Sequence, residues 1–110
     1  MIDVSKITDF SDLFNDPAFK NMYIIVIDKW DVSNGNFFMR MFKNCTTLRA
    51  DVSNWDVSNG IIFTEMFYGC EDLYSDFSNW EVSNGVLFSS MFHFCSSLNS
   101  DFSKWNVSNG

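Results

Sequence analysis

The chain has 110 residues, 46% of them apolar and 18% aromatic, a composition that excludes a disordered chain and leaves room for one packed domain. Fourteen Asp and Glu against seven Lys and Arg give a net charge of -7, which sets electrostatics against direct binding to nucleic acid or an anionic membrane and favours a basic protein partner. No window approaches the roughly 20 apolar residues of a membrane span, the N-terminus lacks the basic and apolar regions of a secretory signal, and the cysteines are odd in number, so reduced thiols in a cytoplasmic protein are expected.

Residues 1–29 read as a degenerate N-terminal capping repeat. "DVSKITDFSDLF" at residues 3–14 matches "DVSNGNFFMRMF" at residues 31–42, which sets Phe10 and Phe14 in register with Phe38 and Phe42. "NDPAFKN" then breaks the period, with Pro17 stopping a helix, and "MYIIVID" at residues 22–28 reads as the buried strand of the cap.

From Trp30 onward one phrase recurs: "WDVSNG" at residues 30–35 and 55–60, "WEVSNG" at residues 80–85 and "WNVSNG" at residues 105–110. Residues 30–110 thus form three 25-residue repeats plus a terminal strand stub, in one domain with the cap. A fixed period of this size means stacked units, each too small to bury its own apolar face. Within a unit, Phe63, Met66, Phe67, Cys70 and Leu73 follow at steps of three and four, the stripe of a short helix, with "SNG" before it as N-cap and Gly69 or Asn44 near its end. Around each Trp the step becomes two. Trp55, Val57 and Asn59 then point one way and Asp56 and Ser58 the other, as in a short parallel strand.

The run Met66-Phe67-x-x-Cys70-x-x-Leu73, followed by Asp76-Phe77-Ser78-x-Trp80-x-Val82-Ser83-Asn84, resembles the 25-residue repeat of BspA-like leucine-rich-repeat surface proteins of bacteria. Gly35, Gly60 and Gly85 stand where units of that family usually carry Val. The resemblance implies a curved, leucine-rich-repeat-like fold used for protein contacts, on cell surfaces and without catalysis. The expected fold class is therefore an α/β repeat solenoid whose coils each hold a short parallel strand and a short helix.

The columns carry little chemistry. Cys45, Cys70 and Cys95 fall on the apolar stripe as small core residues, and zinc needs four converging ligands, so neither metal nor cofactor is expected. His93 is the only histidine and its column varies, so no enzyme is expected. Asp31, Asp56 and Glu81 form one acidic column, and Asp51, Asp76 and Asp101 another. Like charges stacked about 4.8 Å apart repel by about 1 kcal/mol per pair in water, so a chain that keeps them has a use for them. The Asp51 column suits backbone N–H bonds at turns.

The outward stripe Asp31, Asp56 and Glu81, with Ser33, Ser58 and Ser83 beside it, is the expected contact with a basic partner. On charge repulsion alone, reversing it to Lys leaves the fold intact or firmer. Ile61 and Tyr68 are the next candidates, and Trp105 and Val107 mark an open edge for end-to-end homodimerisation or partner docking. The expected function is a non-enzymatic acidic module that occludes a basic surface, such as that of a nucleic-acid enzyme, in the manner of a phage inhibitor of host defence. The alternative is a fragment of a cell-surface adhesin.

Overall fold

The pentads "DVSNW" and "DVSNG" fold as consecutive turns in the computed structural model of the chain, which describes residues 2–20 and 26–110. Asp56 Oδ1 accepts the Ser58 N–H at 3.0 Å and the Ser58 hydroxyl at 2.6 Å, and the Gly60 N–H donates to the Val57 carbonyl at 2.8 Å. An Asx turn followed by an i+3 to i bond redirects the chain within five residues. The pentad before it repeats the device: Asp51 accepts the Ser53 N–H at 3.0 Å, and the Trp55 N–H donates to the Val52 carbonyl at 3.1 Å. Before the last coil the second residue of each pentad points inward, so Val32, Val52, Val57, Phe77 and Val82 are all buried.

The stretch expected to be a helix is a second series of turns. Arg40 and Asn44 take φ of 54° and 63°, Glu65 and Gly69 take 53° and 75°, and Ser90 and Phe94 take 54° and 61°. A left-handed residue at every fourth position ends an α-helix before it completes a turn. Alternate N–H groups instead leave the coil: Phe38, Arg40, Phe42 and Asn44 donate to the carbonyls of Ile62, Thr64, Met66 and Tyr68 at 2.7–2.9 Å. The N–H groups between them close local turns, as from Met41 to Phe38 and from Cys45 to Phe42. The apolar spacing of three and four is real, but turns produce it.

Among the described residues, helical turns amount to 6% and bridged residues to 4%, with no sheet, so the α/β leucine-rich-repeat-like solenoid expected from the sequence is overturned. The helical turns are the 3₁₀ segments Pro17–Phe19, with Pro at its first turn and Asp16 as N-cap, and Val26–Lys29. The cap strand expected at residues 22–28 lies outside the described residues over 22–25 and is helical from Val26. Single parallel bridges join Asp9 to Phe37, Phe37 to Ile62 and Ile62 to Leu87. The chain is a compact body with a radius of gyration of 12.7 Å.

Side chains stack in the same register as these bridges. Phe10, Phe38, Phe63 and Phe88 form one column of near-parallel rings 5.5–5.6 Å apart, and Phe14, Phe42, Phe67 and Phe92 a second at 5.3–5.7 Å. Trp55, Trp80 and Trp105 each donate from Nε1 to a carbonyl of the preceding coil, at Ile27, Val52 and Phe77, over 2.8–2.9 Å. Asn34, Asn59, Asn84 and Asn109 do the same from Nδ2 to the carbonyls of Ser5, Ser33, Ser58 and Ser83. Each thiol donates to a Phe carbonyl one coil back, Cys70 to Phe42 at 3.1 Å. Buried polar groups are thus satisfied between coils, and no buried side-chain nitrogen or oxygen among the described residues lacks a partner.

Candidate protein-binding face

Asp31, Asp56 and Glu81 lie exposed in one column, where the first residue of each second pentad faces solvent. The hydroxyl and then the N–H of Ser33 and of Ser58 hold the carboxyls of Asp31 and Asp56 below the usual range, while Asp31 pushes weakly against Asp56. These carboxylates are ionised at neutral pH and form no ion pair among the described residues, although Lys29 lines one cleft with Asp31. The ion pairs seen among the described residues stand elsewhere: Arg40 with Asp12 at 2.8 Å, Lys43 with Glu65 at 2.8 Å and Arg49 with Asp72 at 3.2 Å. Ser33 and Ser58 are half-buried and spend their hydroxyls on the neighbouring Asp, and the carbonyls of Ser33, Ser58 and Ser83 accept the Asn ladder. The serines therefore shape this column rather than offer it donors.

One turn further along each coil comes an apolar column that sequence reasoning missed except at Ile61. Phe37, Ile62 and Leu87 carry the bridges, and Ile61 and Val86 precede two of them. Phe37 is 37% exposed, Leu87 48% and Val86 46%, with Ile61 and Ile62 half-buried. The signal was the pair of residues after each Gly, apolar in two of three coils, which the helix expectation absorbed.

The remaining candidates are Tyr68, Trp105 and Val107, of which the last two line one recess with Val86 and Leu87. Tyr68 is half-buried under the Lys43 ammonium, 5.0 Å from its ring centre, and meets His93 and Phe94 at 5.4 and 5.5 Å. Trp105 is half-buried and Val107 exposed at the last coil. A groove of about 660 Å³ beside residues 43–46 mixes Lys20 and Lys43 with Asp16 and Glu71 and so has no single charge preference. Among the described residues, no three His, Cys, Asp or Glu side chains converge as metal ligands. Burial pushes the thiols of Cys45 and Cys95 up to about 11 and that of Cys70 higher still, with its neighbours in the column adding to the rise.

A family model described as Mycoplasma protein of unknown function, DUF285, matches residues 1–84. The chain belongs to the DUF285 family. No curated protein and no solved structure matches it. The match takes in the cap, the first two full repeats and the first three members of the acidic column.

Proposed function

We propose that this DUF285 protein is a non-enzymatic binding module that receives a basic, partly apolar protein surface on the paired acidic and apolar columns. The observation that carries the reading is a contrast within one column. Asp31 and Asp56 serve both as turn caps and as charges. Asn106, in the same column, accepts the Ser108 N–H at 3.0 Å and so keeps the cap without the charge. Glu81 makes no hydrogen bond among the described residues, and so keeps the charge without the cap. A purely structural column has no reason to keep a carboxylate there. Adjacent apolar positions supply contact area, and unpaired carboxylates supply steering and register. Basic surfaces of enzymes that act on nucleic acid have the matching chemistry. The repeat pattern also supports kinship with BspA-like repeat proteins, whose units serve protein contacts.

The test compares two chains. Asp31→Asn, Asp56→Asn and Glu81→Gln together keep the turn-capping oxygens of the two Asp, keep the length of the uncapped Glu81 side chain and remove three charges, so thermal stability should hold. Proteins captured from a Mycoplasma extract by the parent should bind the triple variant more slowly, by roughly tenfold at low salt, with the gap closing as salt rises. Equal association rates for the two chains at every salt concentration would reject the reading.

A further inference from the structure

Asn34-Gly35, Asn59-Gly60 and Asn84-Gly85 are dipeptides that cyclise readily in a free chain, because glycine has no side chain to shield its nitrogen from the Asn amide. The fold can dispense with neither residue. A Cβ at Gly35, Gly60 or Gly85 would fall inside contact distance of the Phe38, Phe63 or Phe88 ring, and each Asn ties its coil to the one before. Packing therefore dictates a reactive pair, and the way the fold holds it decides its fate.

Two hydrogen bonds hold each pair. The Nδ2 groups of Asn34, Asn59 and Asn84 donate to the Ser5, Ser33 and Ser58 carbonyls at 2.7–2.9 Å, and the Gly N–H that follows donates to the Val32, Val57 or Val82 carbonyl at 2.8 Å. Asn54 and Asn79 stand at the same pentad position, where the Trp55 and Trp80 N–H groups close turns on Val52 and Phe77. Trp follows them in place of Gly, and their side chains make no hydrogen bond among the described residues. The side-chain tie thus coincides with the glycine. Asn34, Asn59 and Asn84 are all exposed, so water reaches them and burial is not what protects them.

We infer that Asn34, Asn59 and Asn84 are sites of spontaneous deamidation, which the intact coil keeps shut and the opening of a coil releases. In an open coil the Gly nitrogen gives up its proton and attacks Asn Cγ. The new N–C bond forms, the Cγ–Nδ2 bond breaks, and ammonia leaves with the proton. Water then opens the cyclic imide to Asp, or to isoAsp, whose backbone runs through the former side chain. Neither product closes the coil as before. A carboxylate has no N–H for the Ser carbonyl, which is left facing an acceptor, and isoAsp adds a methylene to a turn that has no room for one. A transient opening is thereby recorded as a lasting negative charge on a chain that already carries -7.

The full chain is held in mildly alkaline buffer, native and in urea, and conversion is mapped by mass spectrometry. In urea, Asn34, Asn59 and Asn84 should convert well ahead of Asn54 and Asn79. In the native chain their rates should fall by roughly hundredfold or more, and by at least the factor that slows native exchange of the following Gly amide, since both reactions need that N–H released. Chains with one conversion, separated by charge after the urea incubation, should unfold at lower urea than the parent. Any one of three results overturns the proposal: a native rate that falls less than Gly amide exchange does, Asn54 and Asn79 converting as fast as the Asn-Gly sites in urea, or an unchanged urea midpoint in the converted chains.

Discussion

Gly60→Ala sets two effects of opposite sign against each other. Gly60 is buried and is not among the positive-φ residues, so alanine fits its backbone, and the stiffer unfolded chain alone would stabilise the protein by about 0.4–1 kcal/mol. The added methyl, however, falls inside contact distance of Phe63 Cζ and stands 2.9 Å from the Val57 carbonyl oxygen. Neither neighbour can give way. Phe63 is fully buried between Phe38 at 5.6 Å and Phe88 at 5.5 Å, and the Val57 carbonyl is held by the N–H of Gly60 itself. Overpacking of this kind costs about 1–3 kcal/mol, so a net loss of about 1–2 kcal/mol is expected, and each kcal/mol lowers Tm by roughly 4–8 °C in a domain near this size.

The same methyl at Gly85 meets Phe88, but that ring is half-buried and has beyond it only Gly110 and the tilted Trp105 ring at 6.4 Å, rather than a stacked Phe, so it gives way more readily than Phe63. Gly85→Ala should therefore lie within about 0.5 kcal/mol of the parent. Urea unfolding of both variants, with Gly60→Ala/Phe63→Leu as a relief variant, gives the comparison. A Gly60→Ala chain as stable as the parent, or equal losses at the two glycines, would refute the packing argument.

Three further outcomes follow from particular residues. Phe94 holds a φ of 61° while 61% exposed, a conformation costing about 1–2 kcal/mol for an ordinary side chain, so Phe94→Asn, matching Asn44 in its column, should raise urea stability by up to about 1 kcal/mol; a decrease would count against it. Alkylation at pH 8, mapped by mass spectrometry, should label native Cys95 first, Cys45 next and Cys70 last, following their burial; early labelling of Cys70 would contradict the structure. Hydrogen bonds lower the carboxyls of Asp31, Asp56, Asp76 and Asp101 from their ordinary 3.8, and the Arg40 guanidinium does so for Asp12. A lowered folded value gives stability that is complete above the unfolded value and is lost as pH falls through the folded one. Tm should therefore hold above about pH 5 and drop steadily below about pH 4, and a flat acid limb would be the wrong result.

The period and its columns were legible because a ring that must stack on its neighbour recurs at the stacking distance. Phe38 and Phe63, or Trp55 and Trp80, declare their register without any knowledge of the backbone between them. The backbone was not legible. A helix and a chain of turns both place apolar residues at steps of three and four, and only the φ of the intervening residues separates them. Asn44 and Gly69 are residue types that favour a left-handed backbone, but Arg40, Glu65 and Ser90 are not. Arg40 and Glu65 are held there by N–H bonds to the Thr64 and Ser89 carbonyls of the adjacent coil, which no local reading contains. The strand expected around Trp55 failed similarly, since an Asx turn also sends Trp55 and Val57 inward and Asp56 outward. The Asp51 column does accept turn N–H groups, but so do Asp31 and Asp56. Reversal of these two to Lys therefore loses a cap as well as a repulsion, and the firmer fold expected from charge alone should not be seen.

Each letter of D-V-S-N-G has a task in the coil. Asp caps the turn, Val fills the core, Ser ties its hydroxyl to Asp and its carbonyl to the next coil, Asn makes that tie, and Gly leaves room for the Phe ring. A phrase so fully used by the fold would recur whatever the protein binds, so its repetition carries no functional information. Information lies where a column departs from its structural task. Glu81 departs by keeping charge without a cap, and the residues after each Gly depart by exposing Phe37, Val86 and Leu87 where polar residues would serve the turn equally well. These departures adjoin one another along the coils, with one turn between them, and it is there, rather than in the repeated phrase, that the binding proposed above is to be tested.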